Sequence, residues 1–129
     1  MYDLKLCEDL SLIEQSREFI KIKKSGGKKK TVLTSACPGW ICYAEKTHGS
    51  WILPNISRVK SAQQIMGSLV KSHLSSKFGV EAKKIFHVTL MPCFDKKLEA
   101  SRENFKDDEA SDVDMVITAV ELEQVRGES

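Results

Sequence analysis

The chain has 129 residues and a mass of 14.5 kDa, the size of one domain with a single modest core. Twenty basic against eighteen acidic side chains leave a net charge of +2, with 29% of residues charged and 41% hydrophobic, which excludes a disordered or collagen-like chain. No run reaches the roughly 20 apolar residues of a membrane helix, and the acid-bearing N-terminus does not read as a signal peptide, so we expect a cytoplasmic protein, with the nucleus as a second site, and no membrane partner.

In chain order, the first predicted element is a helix over 9–24, with Ser11 and Glu14 as a capping box and Leu10, Ile13, Phe19 and Ile20 as its apolar stripe. A lysine-rich loop over 21–30 follows. Its six lysines could release counterions from a nucleic acid, but Gly26 and Gly27 interrupt them and no aromatic is interleaved, so a solvated loop is the better reading. Residues 31–34 form a short β-rich run. Pro38 then suits the first turn of a helix that carries Trp40, Ile41, Cys42 and Tyr43 and stops near Gly49. Residues 51–56, with Pro54, read as an irregular connection.

Ser61 and Gln64 make a second capping box. The helix they open has Ile65, Leu69, Val70 and Leu74 as its core stripe and Gly79 as its C-terminal cap. Residues 85–90 are almost continuously apolar, as in a strand covered on both faces. A helix-compatible stretch over 96–102, an acidic loop over 107–114 and a third strand over 113–119 come next. Thr118 and Glu121 cap a final short helix. Alternating strands and helices over 31–125 predict an α/β fold: a parallel sheet of about three or four strands flanked by helices, in a single lobe spanning 1–129.

Sites in such sheets lie beyond the carboxyl ends of the strands. That places Cys37 and Cys93 in notable positions, one after each of the first two strands, each beside a proline (Pro38, Pro92) that stiffens its loop. Cys42 reads as a small core residue and Cys7 as peripheral. No Cys-x-x-Cys pair exists, so zinc ribbons and thioredoxin-type redox sites are excluded. His48, His73 and His87 are dispersed, and a structural role suits each better than a ligand role.

The residues around these two cysteines carry a resemblance. Thr34-Ser35-Ala36-Cys37-Pro38-Gly39-Trp40 resembles the first signature of the iron-only hydrogenase catalytic domain, and Met91-Pro92-Cys93-Phe94-Asp95-Lys96-Lys97 resembles the second. The flanks Ile41 to Gly49, Gln63 to Lys71 and Asp95 to Arg102 are similar to the eukaryotic non-hydrogenase branch of that family, the cytosolic iron–sulfur protein assembly factors and the prelamin A recognition factors. The resemblance spans roughly residues 9 to 125 and implies one lobe of a hydrogenase-like α/β domain.

It further implies Cys37 and Cys93 as thiolate ligands of a 4Fe–4S cluster, with Pro38, Pro92 and Gly39 shaping their loops and Lys96 adding positive charge nearby. A cluster of this type takes four cysteines. The family's other two lie in a later segment without counterpart here, so this chain alone is expected to hold an incomplete cluster or none. Ala36 stands where hydrogenases carry a proton-relaying cysteine and has no titratable group, which implies no enzymatic hydrogen turnover. The implied function is a non-catalytic scaffold or adaptor in cytosolic iron–sulfur cluster assembly and delivery to extra-mitochondrial apoproteins. Its partners would be the other assembly proteins and a second lobe. The alternative is a cluster-free truncated interaction module that recognises a lamin precursor.

Overall fold

A computed structural model describes residues 1–26, 31–105 and 110–127. Its internal contacts divide it into two compact units, Met1–Ile65 and Met66–Ser129.

In the first unit, helix α1 runs from Lys5 to Lys24, starting four residues before the expected residue 9. The Asp3 carboxylate accepts the Lys5 N–H at 2.8 Å, which gives a first-turn donor its partner. Glu8 in the first turn and Lys21, Lys23 and Lys24 in the last oppose the helix dipole. The predicted lysine-rich loop therefore begins inside α1, and its residues 27–30 lie outside the described ones.

The expected apolar stripe of α1 faces outward. Ile13, Phe19 and Ile20 are about half exposed, and Leu10 is half-buried. The buried positions are Cys7 and Ser11 instead, with Gln15, Glu18 and Ile22 half-buried along the same side. Hydrogen bonding explains this inversion. Residues 57–60 lie outside any helix or strand, and α1 supplies hydrogen-bond partners to them from polar side chains. Glu18 accepts the Ser57 hydroxyl at 2.5 Å and the Arg58 N–H at 3.2 Å. The Ser11 hydroxyl donates to the Lys60 carbonyl at 3.3 Å and accepts from Gln15 Nε2 at 3.0 Å. Ser11 is thus an interior tie, not an N-cap.

The first predicted strand is reduced to one parallel bridge, Leu33 to Ile56, made by Leu33 N–H to Asn55 O and Ser57 N–H to Leu33 O, both at 2.8 Å. Helix α2 spans Pro38–Ile52, with Pro38 at its first position as expected. It continues past Gly49 through a kink at His48 (φ −133°, ψ 21°), whose ring packs against Tyr43 and Trp51 with centroids 5.9 and 5.8 Å apart. A 3₁₀ turn, Leu53–Asn55, follows it.

Helix α3 (Ala62–Ser68) passes from the first unit into the second. Ser61 caps it by accepting the Gln64 N–H at 3.4 Å, but the Gln64 amide does not return the bond and is fully buried. A π-helical turn, Leu69–Leu74, leads into α4 (Ser75–Phe78), which ends at Gly79 in the left-handed conformation (φ 64°, ψ 29°). The Val80 N–H reaches back to Ser75 O at 3.1 Å, as a Schellman-type cap requires. Gln63, Gln64, Gly67, Val70 and Lys71 are buried, a row of ordinary helical spacing that shares only Val70 with the expected stripe, whereas Ile65, Leu69 and Leu74 are only half-buried.

Strands β1 (Val88–Met91) and β2 (Met115–Thr118) pair in parallel, in the register Val88–Met115 to Met91–Thr118. Among the described residues the sheet has these two strands, fewer than the three or four expected. Between them lies α5 (Asp95–Ala100), and β2 runs directly into α6 (Ala119–Gly127). One face of the pair, Thr89, Met91, Val116 and Thr118, is buried. The other is not, so the expectation of a strand covered on both faces does not hold for β1. Lys71 organises the entry to the sheet. Its Nζ, on a side chain 8% exposed, pairs with Asp114 at 2.6 Å and also bonds the Ala82 and Ile85 carbonyls. Asp114 in turn accepts the His87 N–H at 2.6 Å, and His87 Nδ1 lies 2.8 Å from the Asp112 carbonyl.

Candidate functional site

Cys37 is the N-cap of α2, with extended backbone (φ −91°, ψ 112°), and is exposed. Pro38 behind it is buried and fixes the direction of the first turn. Ser35 completes the loop: its hydroxyl accepts the Cys37 N–H at 3.1 Å and lies 3.4 Å from the Cys37 carbonyl oxygen. Its local bonds are those of a serine turn, a signal available in Ser35-Ala36-Cys37 that the proline obscured.

Cys93 lies two residues beyond the end of β1 and is exposed, as is Pro92. The Cys93 carbonyl accepts the Lys96 N–H at 3.4 Å, and Phe94 occupies the N-cap position of α5 without a side-chain cap. Lys96 belongs to a mostly buried pair: its Nζ is 3.1 Å from Glu99 Oε2, with side chains 12% and 11% exposed. Its charge is thus balanced within α5. The next lysine reaches out of that helix. Lys97 Nζ bonds Glu121, whose carboxylate also accepts the Thr118 N–H at 2.8 Å and hydroxyl at 2.9 Å. The hydrogen bond from Lys97, then those from Thr118, lower the Glu121 carboxyl to about 2. The Thr118–Glu121 capping box is present as expected, and the Glu121 N–H bonds Thr118 Oγ1 at 3.3 Å.

None of the four cysteines forms a disulfide. Cys7 is fully buried rather than peripheral, and burial pushes its thiol above the ordinary range, so it is not a reactive thiolate. Cys42 is half-buried in α2. His73 is exposed on the π turn. Cys37 belongs to the first unit and Cys93, Pro92 and Lys96 to the second. Two exposed thiols on proline-stiffened loops suit iron–sulfur ligation in kind. They do not suit it in number, because among the described residues no group of three or more His, Cys, Asp or Glu side chains could hold a metal.

A parallel strand pair joined through a helix, with a cysteine just past β1 and another at the N-cap of α2, makes an α/β segment with two exposed thiols at loop–helix junctions. Residues 1–128 match the family profile of the iron-only hydrogenase large subunit, C-terminal domain, and the chain belongs to that family. It is 53% identical over 125 residues to a probable cytosolic Fe–S cluster assembly factor of Aedes aegypti, covering 95% of this chain and 26% of that one. A protein of the same description from Drosophila melanogaster is 52% identical over 127 residues, covering 97% and 26%. An apo FeFe-hydrogenase variant from Chlamydomonas reinhardtii superposes with a TM-score of 0.90 at 33% identity, covering 98% of this chain and 32% of that chain. A hydrogenase structure concerned with oxygen inactivation of the H cluster superposes with a TM-score of 0.91 at 32% identity. The chain therefore spans about a quarter of the length of these curated relatives and about a third of these hydrogenases. No helix among the described residues is long and apolar enough to cross a membrane.

Proposed function

We propose that this chain serves cytosolic iron–sulfur protein assembly as a non-catalytic scaffold or adaptor, and that Cys37 and Cys93 are its contribution to an iron–sulfur site. The observation that carries the reading is the placement of both signature thiols: each is exposed and held on a loop that leads into a helix, whereas Cys7 is sealed in the interior. A bound cluster would supply a transferable or redox-active iron–sulfide centre. The chain's own residues present and orient the two sulfurs. Pro38 and the Ser35 hydroxyl fix the Cys37 loop, Pro92 stiffens the Cys93 loop, and Lys96, its charge balanced by Glu99, sits on the helix that follows Cys93. The remaining ligands come from outside this chain, and the partners are other assembly proteins of the cytosol. The names borne by the insect relatives support this reading, as does Ala36 at the position before Cys37, where no side chain can relay a proton.

Anaerobic reconstitution with ferrous iron and sulfide tests it, read by thiolate-to-iron absorption and by metal counting. In a preparation supplemented with the part of the Aedes relative that this chain does not match, colour should develop. Cys37→Ser or Cys93→Ser in this chain should each abolish it, and Cys42→Ser should not. Colour unchanged by the first two substitutions removes both residues as ligands. A complex that forms but stays colourless favours the cluster-free interaction module.

A further inference from the structure

The lysine run over 21–30 has no role in the iron–sulfur proposal, and the structure singles out one hydroxyl within it. Ser25 is the C-cap of α1 and is exposed; Gly26 follows in the left-handed conformation (φ 60°) and turns the chain off the helix. Lys21, Lys23 and Lys24, all shortly before Ser25, are exposed as well, and no acidic residue occurs between Glu18 and Glu45. The Ser25 hydroxyl donates to the Ile22 carbonyl at 2.9 Å and its N–H to the Lys21 carbonyl at 3.1 Å, so both donors help to close the last turn of α1.

Two other hydroxyls directly follow clusters of basic residues, and the structure disfavours both as targets for a second protein. Ser61, after Arg58 and Lys60, is half-buried, and its hydroxyl is occupied in capping α3. Thr31, after Lys28, Lys29 and Lys30, is exposed, but Leu33 two residues on is tied into its bridge by backbone bonds to Asn55 and Ser57. We infer that Ser25 is a phosphorylation site, the acceptor for an ATP-dependent protein-serine kinase with an acidic substrate cleft, and that its phosphate loosens the last turn of α1. Such a cleft selects lysines on the N-terminal side of the acceptor by charge complementarity. Helix ends fray, so Lys21 to Lys24 enter it as extended chain. Ser25 Oγ attacks the γ-phosphorus, the new Oγ–P bond replaces the bond from that phosphorus to the β,γ-bridging oxygen, ADP leaves, and the hydroxyl proton passes to the kinase's base. The Ile22 carbonyl then loses its donor, and a charge of about −1.5 to −2 arrives at the negative end of the helix dipole. Lys21, one turn back on the same face, offsets part of that repulsion.

The test incubates the whole chain with magnesium, ATP and the catalytic domain of a kinase that selects basic substrates, beside one that selects acidic substrates. The first kinase alone should add a phosphate by intact mass, and fragmentation should place it on Ser25. Ser25→Ala should abolish the labelling. The double variant Lys23→Ala, Lys24→Ala, which keeps good helix formers at both positions, should slow it about tenfold or more. In the phosphorylated chain, hydrogen exchange at the Ser25 amide should quicken about threefold or more. Absence of labelling, a phosphate on Thr31 or Ser61 with Ser25 untouched, or equal labelling by the acidic-substrate kinase overturns the inference. So does a rate indifferent to the lysine pair, or unchanged exchange in the phosphorylated chain.

Discussion

Gly67 is the position at which helix propensity and packing make opposite predictions, so Gly67→Ala tests the second unit directly. Alanine in a helix is favoured over glycine by about 1 kcal/mol. The added methyl, however, would lie 2.5 Å from the Asp112 carbonyl oxygen, 2.8 Å from its carbon and 2.9 Å from its Cβ. Ordinary contact begins near 3.4 Å, so Asp112 must retreat by about 0.9 Å, and it is a backbone segment that has to move. That segment accepts from Ser68 Oγ at 3.0 Å through its carboxylate, and its carbonyl lies 2.8 Å from His87 Nδ1. Overpacking costs about 1–3 kcal/mol, and the two hydrogen bonds about 1 kcal/mol each if broken. Packing outweighs propensity, and the net effect is about 2 kcal/mol of destabilisation, or a fall in Tm of about 8 °C for a chain of this size. Urea unfolding followed by circular dichroism, together with calorimetry, measures it. A variant as stable as the parent, or more so, would refute the close approach of α3 to Asp112.

Three further outcomes follow from the same reasoning. Lys71→Met leaves Asp114 and two carbonyls without the ammonium that joins them, so we expect a loss of about 3 kcal/mol in urea unfolding, whereas Asp114→Asn, which can still accept from Lys71 and His87, costs less. Glu121, with its folded-state carboxyl near 2, adds stability that is complete above its ordinary value of 4.5 and is lost as pH falls from there toward 2; Glu121→Gln should flatten the urea midpoint over that window and leave its pH dependence above pH 5 unchanged. Glu18→Ala removes two acceptors from residues 57 and 58 and should speed hydrogen exchange at the Arg58 amide with a loss of about 1–2 kcal/mol; unchanged exchange would count against α1 as the support of that segment.

What the sequence made legible, and what it hid, divides along the range of the interactions involved. The cap at Gly79, Pro38 at the start of α2, the Thr118–Glu121 box and the helices after Ser61 and Thr118 all depend on residues within a few positions of one another. The Cys37 and Cys93 loops were legible for the same reason, since each is a local passage from extended chain into a helix. The outward face of α1 was not legible. Its periodic apolar residues suggested the usual burial, whereas Glu18 and Ser11 turn inward to satisfy a backbone some 40 to 50 residues away. The buried row of the helix after Ser61 was hidden as well, because its members Gln63, Gln64 and Lys71 are polar, and Lys71 is drawn inward by Asp114, 43 residues later. Apolar strands such as 85–90 signal that both faces tend to be covered but do not say by what. In this chain only one face of β1 is covered, and the pattern written into Val88 and Leu90 describes an environment that the described residues do not by themselves supply.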